Sequence, residues 1–385
     1  MSFANTLQDE NIKQKTYDRT GSPSMNKKIL LCLAASIASL SFHSQAESSF
    51  FSLDPNADFK RFSISVGGLH VMPQGKAQAP KITTAVKEGE VAKNGDITLS
   101  TVYENLDPSV NQRGLESALR VLGFLTGGTL PGAVSGSSVV NDISAWTMDG
   151  AGMEAEDVTT LGILINYYFN DNISLETKLG IPPKVDIKGV GNITAPFTAV
   201  ATPALAGLPL EFLNIKLKND LQISNLEGHG KVAEARAWTP MWELQYHFGQ
   251  SGVNKFRPYL GLGLMVAYFN ELELTPGLEK DLISAGHKIA NMKTGEGGAA
   301  LAGKLSSANP VIDIEADISF APIATLGFTY DLTPNWFAVS SISYAHLTGK
   351  TTIQVNDAKL GTLFASDVKL QINPIIGYAG IGYRF

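Results

Sequence analysis

The chain has 385 residues, with 17% charged, 9% aromatic and 44% hydrophobic side chains, 37 glycines and a net charge of −6. That much apolar side chain excludes a disordered chain, and an acidic balance gives a nucleic-acid partner no electrostatic footing. Only one apolar run is long enough to be weighed as a membrane helix, which excludes a polytopic helical membrane protein and leaves an all-β protein.

That run lies near the N-terminus. From Met25 the chain reads Met25-Asn26-Lys27-Lys28, then a largely apolar stretch to Phe42, then Ser44-Gln45-Ala46 before Glu47. A basic n-region, an apolar core and a small-x-small end make 25–46 a secretory signal peptide cut after Ala46. Residues 1–24 are polar and precede this start, so they read as a spurious N-terminal extension. The only cysteine, Cys32, falls inside the signal; Leu31 is too large for the position before a lipidated cysteine. The mature chain, 47–385, therefore uses no disulfide or thiol chemistry, and its net charge becomes −8.

Period-2 segments follow. Residues 60–72 set Phe62, Ile64 and Val66 against Arg61, Ser63 and Ser65. Residues 159–169 and 173–181 alternate in the same way across the turn Asn170-Asp171-Asn172. Residues 238–248 set Trp242, Leu244 and Tyr246 against Met241, Glu243 and Gln245, and 259–268 set Leu260, Leu262 and Leu264 against Tyr259 and Gly261. Further strands are expected at 318–330, at 336–348, where both faces carry apolar residues, and from about 363 to Phe385.

Eight antiparallel strands could make a soluble sandwich. Two features choose a transmembrane β-barrel instead. Aromatic residues collect at strand ends, as in an interfacial girdle, and short connections (170–172, 249–256, 331–335) alternate with long or moderate ones (74–156, 182–237, 270–316, 349–362). The fold expected is thus all-β: an eight-stranded antiparallel transmembrane barrel over 47–385, with long extracellular loops containing short helices. In the loop 74–156 the spacing of Leu115, Leu119 and Leu122–Leu125 predicts a helix over 111–125, followed by a flexible Gly/Ser-rich stretch, Gly127–Ser138. A second helix is expected over 278–292.

The segment Asn254-Lys255-Phe256-Arg257-Pro258-Tyr259-Leu260-Gly261-Leu262-Gly263 resembles a characteristic stretch of the outer-membrane protein W (OmpW/AlkL) family. The ending Gly382-Tyr383-Arg384-Phe385 and the segments Asn172–Glu176 and Thr333–Trp336 are similar to that family as well. The resemblance covers the eight strands in order, but not the oversized first loop or the insertions at 186–236 and 278–310. It implies a barrel in the outer membrane of a Gram-negative bacterium whose hydrophobic lumen passes small apolar molecules inward.

No hydrolase, phosphate-loop or metal-protease motif appears, and His70, His229, His247, His287 and His346 lack ligand spacing. An enzyme, a metal site and a cofactor are therefore not expected. Inward positions sort by depth instead. A polar plug is expected near the periplasmic end, with Arg61 and Lys178 pairing Glu176 and Glu243, since unpaired buried charge is costly. Above it, Leu69, Val71, Met241, Met265, Phe269, Val368 and Leu370 form an apolar substrate path. Pro182 and Pro183 end the third strand and Pro240 begins the fourth. Proline donates nothing to a ladder, so a lateral opening is expected there. Tyr383 and Phe385, on the lipid-facing parity, are the expected assembly signal.

These readings make the protein a passive channel for small hydrophobic molecules with lateral release into the membrane. A surface-interaction barrel and a narrow ion-conducting pore are the alternatives. The partners expected are outer-membrane lipid and lipopolysaccharide, small hydrophobic molecules and the barrel-assembly machinery.

Overall fold

A computed structural model describes residues 59–385, except Gln112, Ala206 and the side chains of Arg113, Leu122 and Leu125. The proposed extension 1–24 and signal peptide 25–46 lie outside the described residues.

Eight strands close a ring: β1 (Phe62–Met72), β2 (Val158–Tyr168), β3 (Ile173–Gly180), β4 (Met241–His247), β5 (Phe256–Leu274), β6 (Ser319–Asp331), β7 (Trp336–Ala345) and β8 (Ile375–Arg384). Each pairs antiparallel with its neighbour, and β8 returns to β1 with Val66 opposite Ile381. Closure leaves no open edge, which hydrocarbon cannot satisfy. The alternation read in the sequence sorts inside from outside. Val66, Leu262, Leu326 and Ile381 are exposed on the outer wall, whereas Ser65, Glu243, Thr325 and Tyr378 are buried within. On β7, where the pattern was ambiguous, Phe337, Val339 and Ser341 point inward while Trp336 and Ile342 face out.

Short connections (169–172, 248–255, 332–335) collect at one end, beside a ring of outward aromatics. There Phe62 lies 5.0 Å from Tyr167, Phe256 lies 5.2 Å from Phe328, and Tyr383 lies 5.1 Å from Trp336 and 5.2 Å from Phe385. The long connections emerge at the other end and fold together into a cap.

The cap is richer in strands than expected. One sheet joins Ile215–Asn225, Asn192–Thr202, Ser137–Asn141 and Glu90–Lys93; another joins Val311–Ala316, Thr348–Asp357, Gly361–Gln371, Lys81–Thr84 and Ala145–Thr147. Two corrections follow. Residues 363–371 do not begin the last barrel strand. They form one arm of an extracellular hairpin, and β8 starts afresh at Ile375 after the turn at Asn373, which has φ 41°. The Gly127–Ser138 stretch is ordered into a short strand pair and a helical turn, because its backbone finds partners at Ile97–Thr98.

Helix α1 (Arg113–Thr126) occupies the first long loop. Helix α2 (Pro276–Thr294) opens with proline in its first turn and stops at Gly295, whose φ of 83° suits glycine. Leu278, Leu282, Ala285, Ile289 and Met292 share its buried face, spaced for one side of a helix. At Gly286 a β-carbon would come within 2.9 Å of Pro310 and Val355, so only glycine lets the helix sit so close. The cap core and the barrel core are separate clusters.

Above the barrel the wall continues on one side. β5 pairs with β4 over its lower half and with Lys231–Trp238 over its upper half. Lys231–Trp238 is β4 prolonged across Thr239-Pro240, and Lys184–Val190 is β3 prolonged across Pro182-Pro183.

Candidate functional site

The lower lumen is a filled, charged floor. Lys178 Nζ lies 3.2 Å from Glu243 Oε1 and 3.6 Å from Glu176 Oε1, with all three side chains at most 2% exposed. Lys178 also donates to Ser343 Oγ at 3.1 Å, and Asn166 Nδ2 donates to Glu176 Oε2 at 3.0 Å. Inward-pointing alternation on β3 and β4 brings these groups together, since Glu176 and Glu243 are register partners. Ser174 is hydrogen-bonded to His247 at 2.9 Å, and the His247 and Tyr259 rings lie 5.0 Å apart.

Arg61 is not part of this floor. It sits half-buried at the rim with its guanidinium 5.7 Å from the Phe59 ring. Two arginines that sequence reasoning missed hold the short-turn end instead. Arg257 binds the Asp171 carbonyl, and Arg384 pairs with Asp331 at 2.5 Å while lying 4.3 Å above the Phe337 ring. Both fall on the inward parity of strands already read from the sequence, so alternation alone could have found them.

Over the floor is an apolar cavity of about 850 Å³, open mouth included. Of the residues expected to form the substrate path, Val71, Met265, Phe269 and Leu370 line it. Leu69 and Met241 do not. They are buried in the barrel core with Leu164 and Tyr378. Val368 is a correction: it belongs to the extracellular hairpin and packs in the cap core. Leu347, Leu272, Ile372 and Ile376 also line the main cavity, as does Glu156. They were missed because their strands bend or end at positions that local alternation does not mark.

The cavity reaches the prolines. The β3–β4 ladder stops at Lys178–Met241 and resumes at Lys184–Arg236. Across the seam Ala237 N donates to the Pro183 carbonyl at 3.0 Å. Pro183, Ala237 and Thr239 all line the cavity. Pro182 accepts from Arg236 Nη1 at 3.1 Å, and Pro240 accepts from Val266 N at 3.0 Å. Tyr383 and Phe385 stand in the aromatic ring on the lipid face, and Phe385 N donates to the Phe62 carbonyl at 2.8 Å. Among the described residues no group of three or more His, Cys, Asp or Glu is placed to hold a metal ion.

A closed eight-stranded barrel with an apolar outer wall, an aromatic ring and a charged interior is an outer-membrane β-barrel, set in the lipid and lipopolysaccharide of the cell outer membrane. Within that class the chain resembles the OmpW family. The OmpW family model matches residues 131–283, from the first long loop through β2–β5 into α2. Outer membrane protein W of Vibrio cholerae is 25% identical over 229 residues, 59% of this chain and 74% of that protein. The crystal structure of OprG from Pseudomonas aeruginosa is 14% identical, covers 85% of this chain and 96% of its own, and has a TM-score of 0.43. The solid-state NMR structure of AlkL in lipid bilayers is 16% identical, with 89% and 97% covered and a TM-score of 0.38.

Proposed function

We propose that the protein is a passive conduit for small hydrophobic molecules, which enter the apolar cavity from outside and leave sideways into the membrane between β3 and β4. The observation that carries this reading is the cavity's reach: it is closed below by charge and touches the proline seam at Pro183 and Thr239. Burying an apolar molecule there contributes about 25 cal/mol per Å² of its surface. Passing down through Lys178, Glu176 and Glu243 would forfeit that gain and pull apart a buried ion network. Moving through the seam bypasses that network.

The seam can yield because its ladder lacks proline N–H donors at three positions. The same floor argues against a narrow ion pore, since its charged groups pair with one another in a packed interior. Ile181 and Trp238 are exposed on the outer wall on opposite sides of the seam. Residues 59–385 contain no cysteine, so cysteines placed at these two positions can be joined by oxidation. Uptake of an apolar probe should fall on oxidation and return on reduction. Full uptake by the oxidised protein would rule out this exit, and unitary conductance in planar bilayers without probe uptake would favour the ion pore.

A further inference from the structure

The two sides of the proline seam are each held by a different neighbour. On the β3 side, Ile181 N donates to the Leu161 carbonyl at 2.9 Å and Thr160 Oγ1 donates to the Ile181 carbonyl at 2.6 Å, which fixes that segment to β2. On the β4 side, Trp238 is the register partner of Tyr268 and Val266 N donates to the Pro240 carbonyl at 3.0 Å, which fixes that segment to β5. Among the described residues two hydrogen bonds cross from one side to the other. Ala237 N donates to the Pro183 carbonyl at 3.0 Å, and Arg236 Nη1 donates to the Pro182 carbonyl at 3.1 Å. The second is made by a side chain.

That side chain is held from behind. Arg236 Nε donates to Glu271 Oε2 at 2.9 Å, so one planar group reaches a carbonyl of the β3 side and a carboxylate of β5 at once. A bulge puts the carboxylate there. Glu234 pairs with Glu273 but Arg236 pairs with Asn270, so β5 carries one residue more than its partner at this point. Glu271 takes a φ of 49°, which is uncommon for a residue other than glycine. Bulges of this kind re-aim side chains. Here Glu271 meets Arg236 on the exposed face, while the next residue, Leu272, lines the cavity.

The hold is slight. Arg236 and Glu271 are 31% and 46% exposed, and ion pairs so open to water contribute little. Lys184 stands directly opposite Arg236 where the ladder resumes, and like charges placed so repel. Such a contact biases the seam shut and still breaks at small cost, which suits an exit that opens and recloses.

We infer that Arg236 is the latch of the lateral exit: bound to the Pro182 carbonyl and steadied by Glu271, it keeps the seam closed, and its release lets the proline segment part from Ala237. This rests on the exit between β3 and β4 and names the residue that regulates it.

The test uses the full chain with Arg236→Met, which keeps an aliphatic stem and removes both donors. Amide hydrogen exchange at Ala237 reads opening of the seam without any transported molecule. It should rise about fivefold, the factor expected from losing one ordinary hydrogen bond, while exchange at Leu262 in mid-barrel stays unchanged. Glu271→Ala should act in the same direction because it frees the guanidinium. Glu271→Gln, which keeps an acceptor oxygen, should keep exchange slow, and this rescue separates a latch from general loosening. The variants touch the latch from two strands, so poor folding of one does not decide the matter, and heat-modifiable migration on gels reports folding. Uptake of an apolar probe should rise along with exchange in Arg236→Met and Glu271→Ala. The inference is overturned if Ala237 exchange is unchanged in both, if exchange rises equally at Leu262, or if Glu271→Gln behaves as Glu271→Ala does. Faster exchange at Ala237 with unaltered uptake would count against the lateral route and leave the latch standing.

Discussion

Glu176 and Glu243 face each other directly across the β3–β4 ladder, and a single ammonium, that of Lys178, lies within 3.6 Å of one and 3.2 Å of the other. Two like charges placed opposite on a sheet repel, and here both are out of reach of water. The lysine is what makes the pair tolerable, and its contact with Ser343 ties β3 to β7 across the lumen. The floor is therefore one cooperative network.

Lys178→Met should destabilise the barrel by about 3–5 kcal/mol, the usual cost of leaving a buried charge without its partner. The triple change Lys178→Met, Glu176→Gln, Glu243→Gln should recover most of that loss. Urea unfolding in detergent measures both. Equal losses would show that the lysine stem acts through packing and not through its charge.

Leu262 is 70% exposed on the lipid wall, opposite Leu244 in mid-barrel. Leu262→Arg should cost about 2–4 kcal/mol at that depth. Ser65 points inward and shares a 3.1 Å hydrogen bond with Tyr378; Ser65→Ala should cost about 1 kcal/mol. Folding titrations into lipid vesicles compare the two, and a reversed order would contradict the assignment of the faces.

Phe385→Ala should lower the yield of folded barrel in the outer membrane. The ring packs 5.2 Å from Tyr383 on the lipid face, where we expect the assembly machinery to engage it. Quantifying heat-modifiable protein in isolated membranes is the check. Wild-type yield would refute the role.

In the extended wall above Trp238, Lys184 and Lys231 hydrogen-bond Glu234 at 2.5 and 2.9 Å and hold its carboxyl down at about 2. A lowered folded-state value means the interaction stabilises the wall fully above the ordinary range near 4.5 and loses that effect as pH falls towards 2. Replacing both lysines with Met should return the titration of Glu234, followed by NMR, towards 4.5. An unmoved midpoint would place the cause elsewhere.

The barrel was legible from residues alone because two environments press on every strand. Lipid demands an apolar side chain at each outward position, and the narrow lumen demands small or paired polar ones between, so parity at Leu262 or Glu243 could be read locally. The proline seam was legible for a related reason: a missing N–H is a property of the residue itself. Tertiary structure decided the rest. Arg61 shares the parity of the floor yet lies at its rim, and Arg257 and Arg384 hold the short-turn end, because depth along the barrel depends on register and not on alternation. Val368 and Leu370 read as continuous with β8, but they pair with Thr351 and Gly349 in a cap hairpin. The cap escaped local reading most completely. Its strands find partners far away in sequence, as Lys81 does at Asp367, and only the meeting of four long connections makes its core.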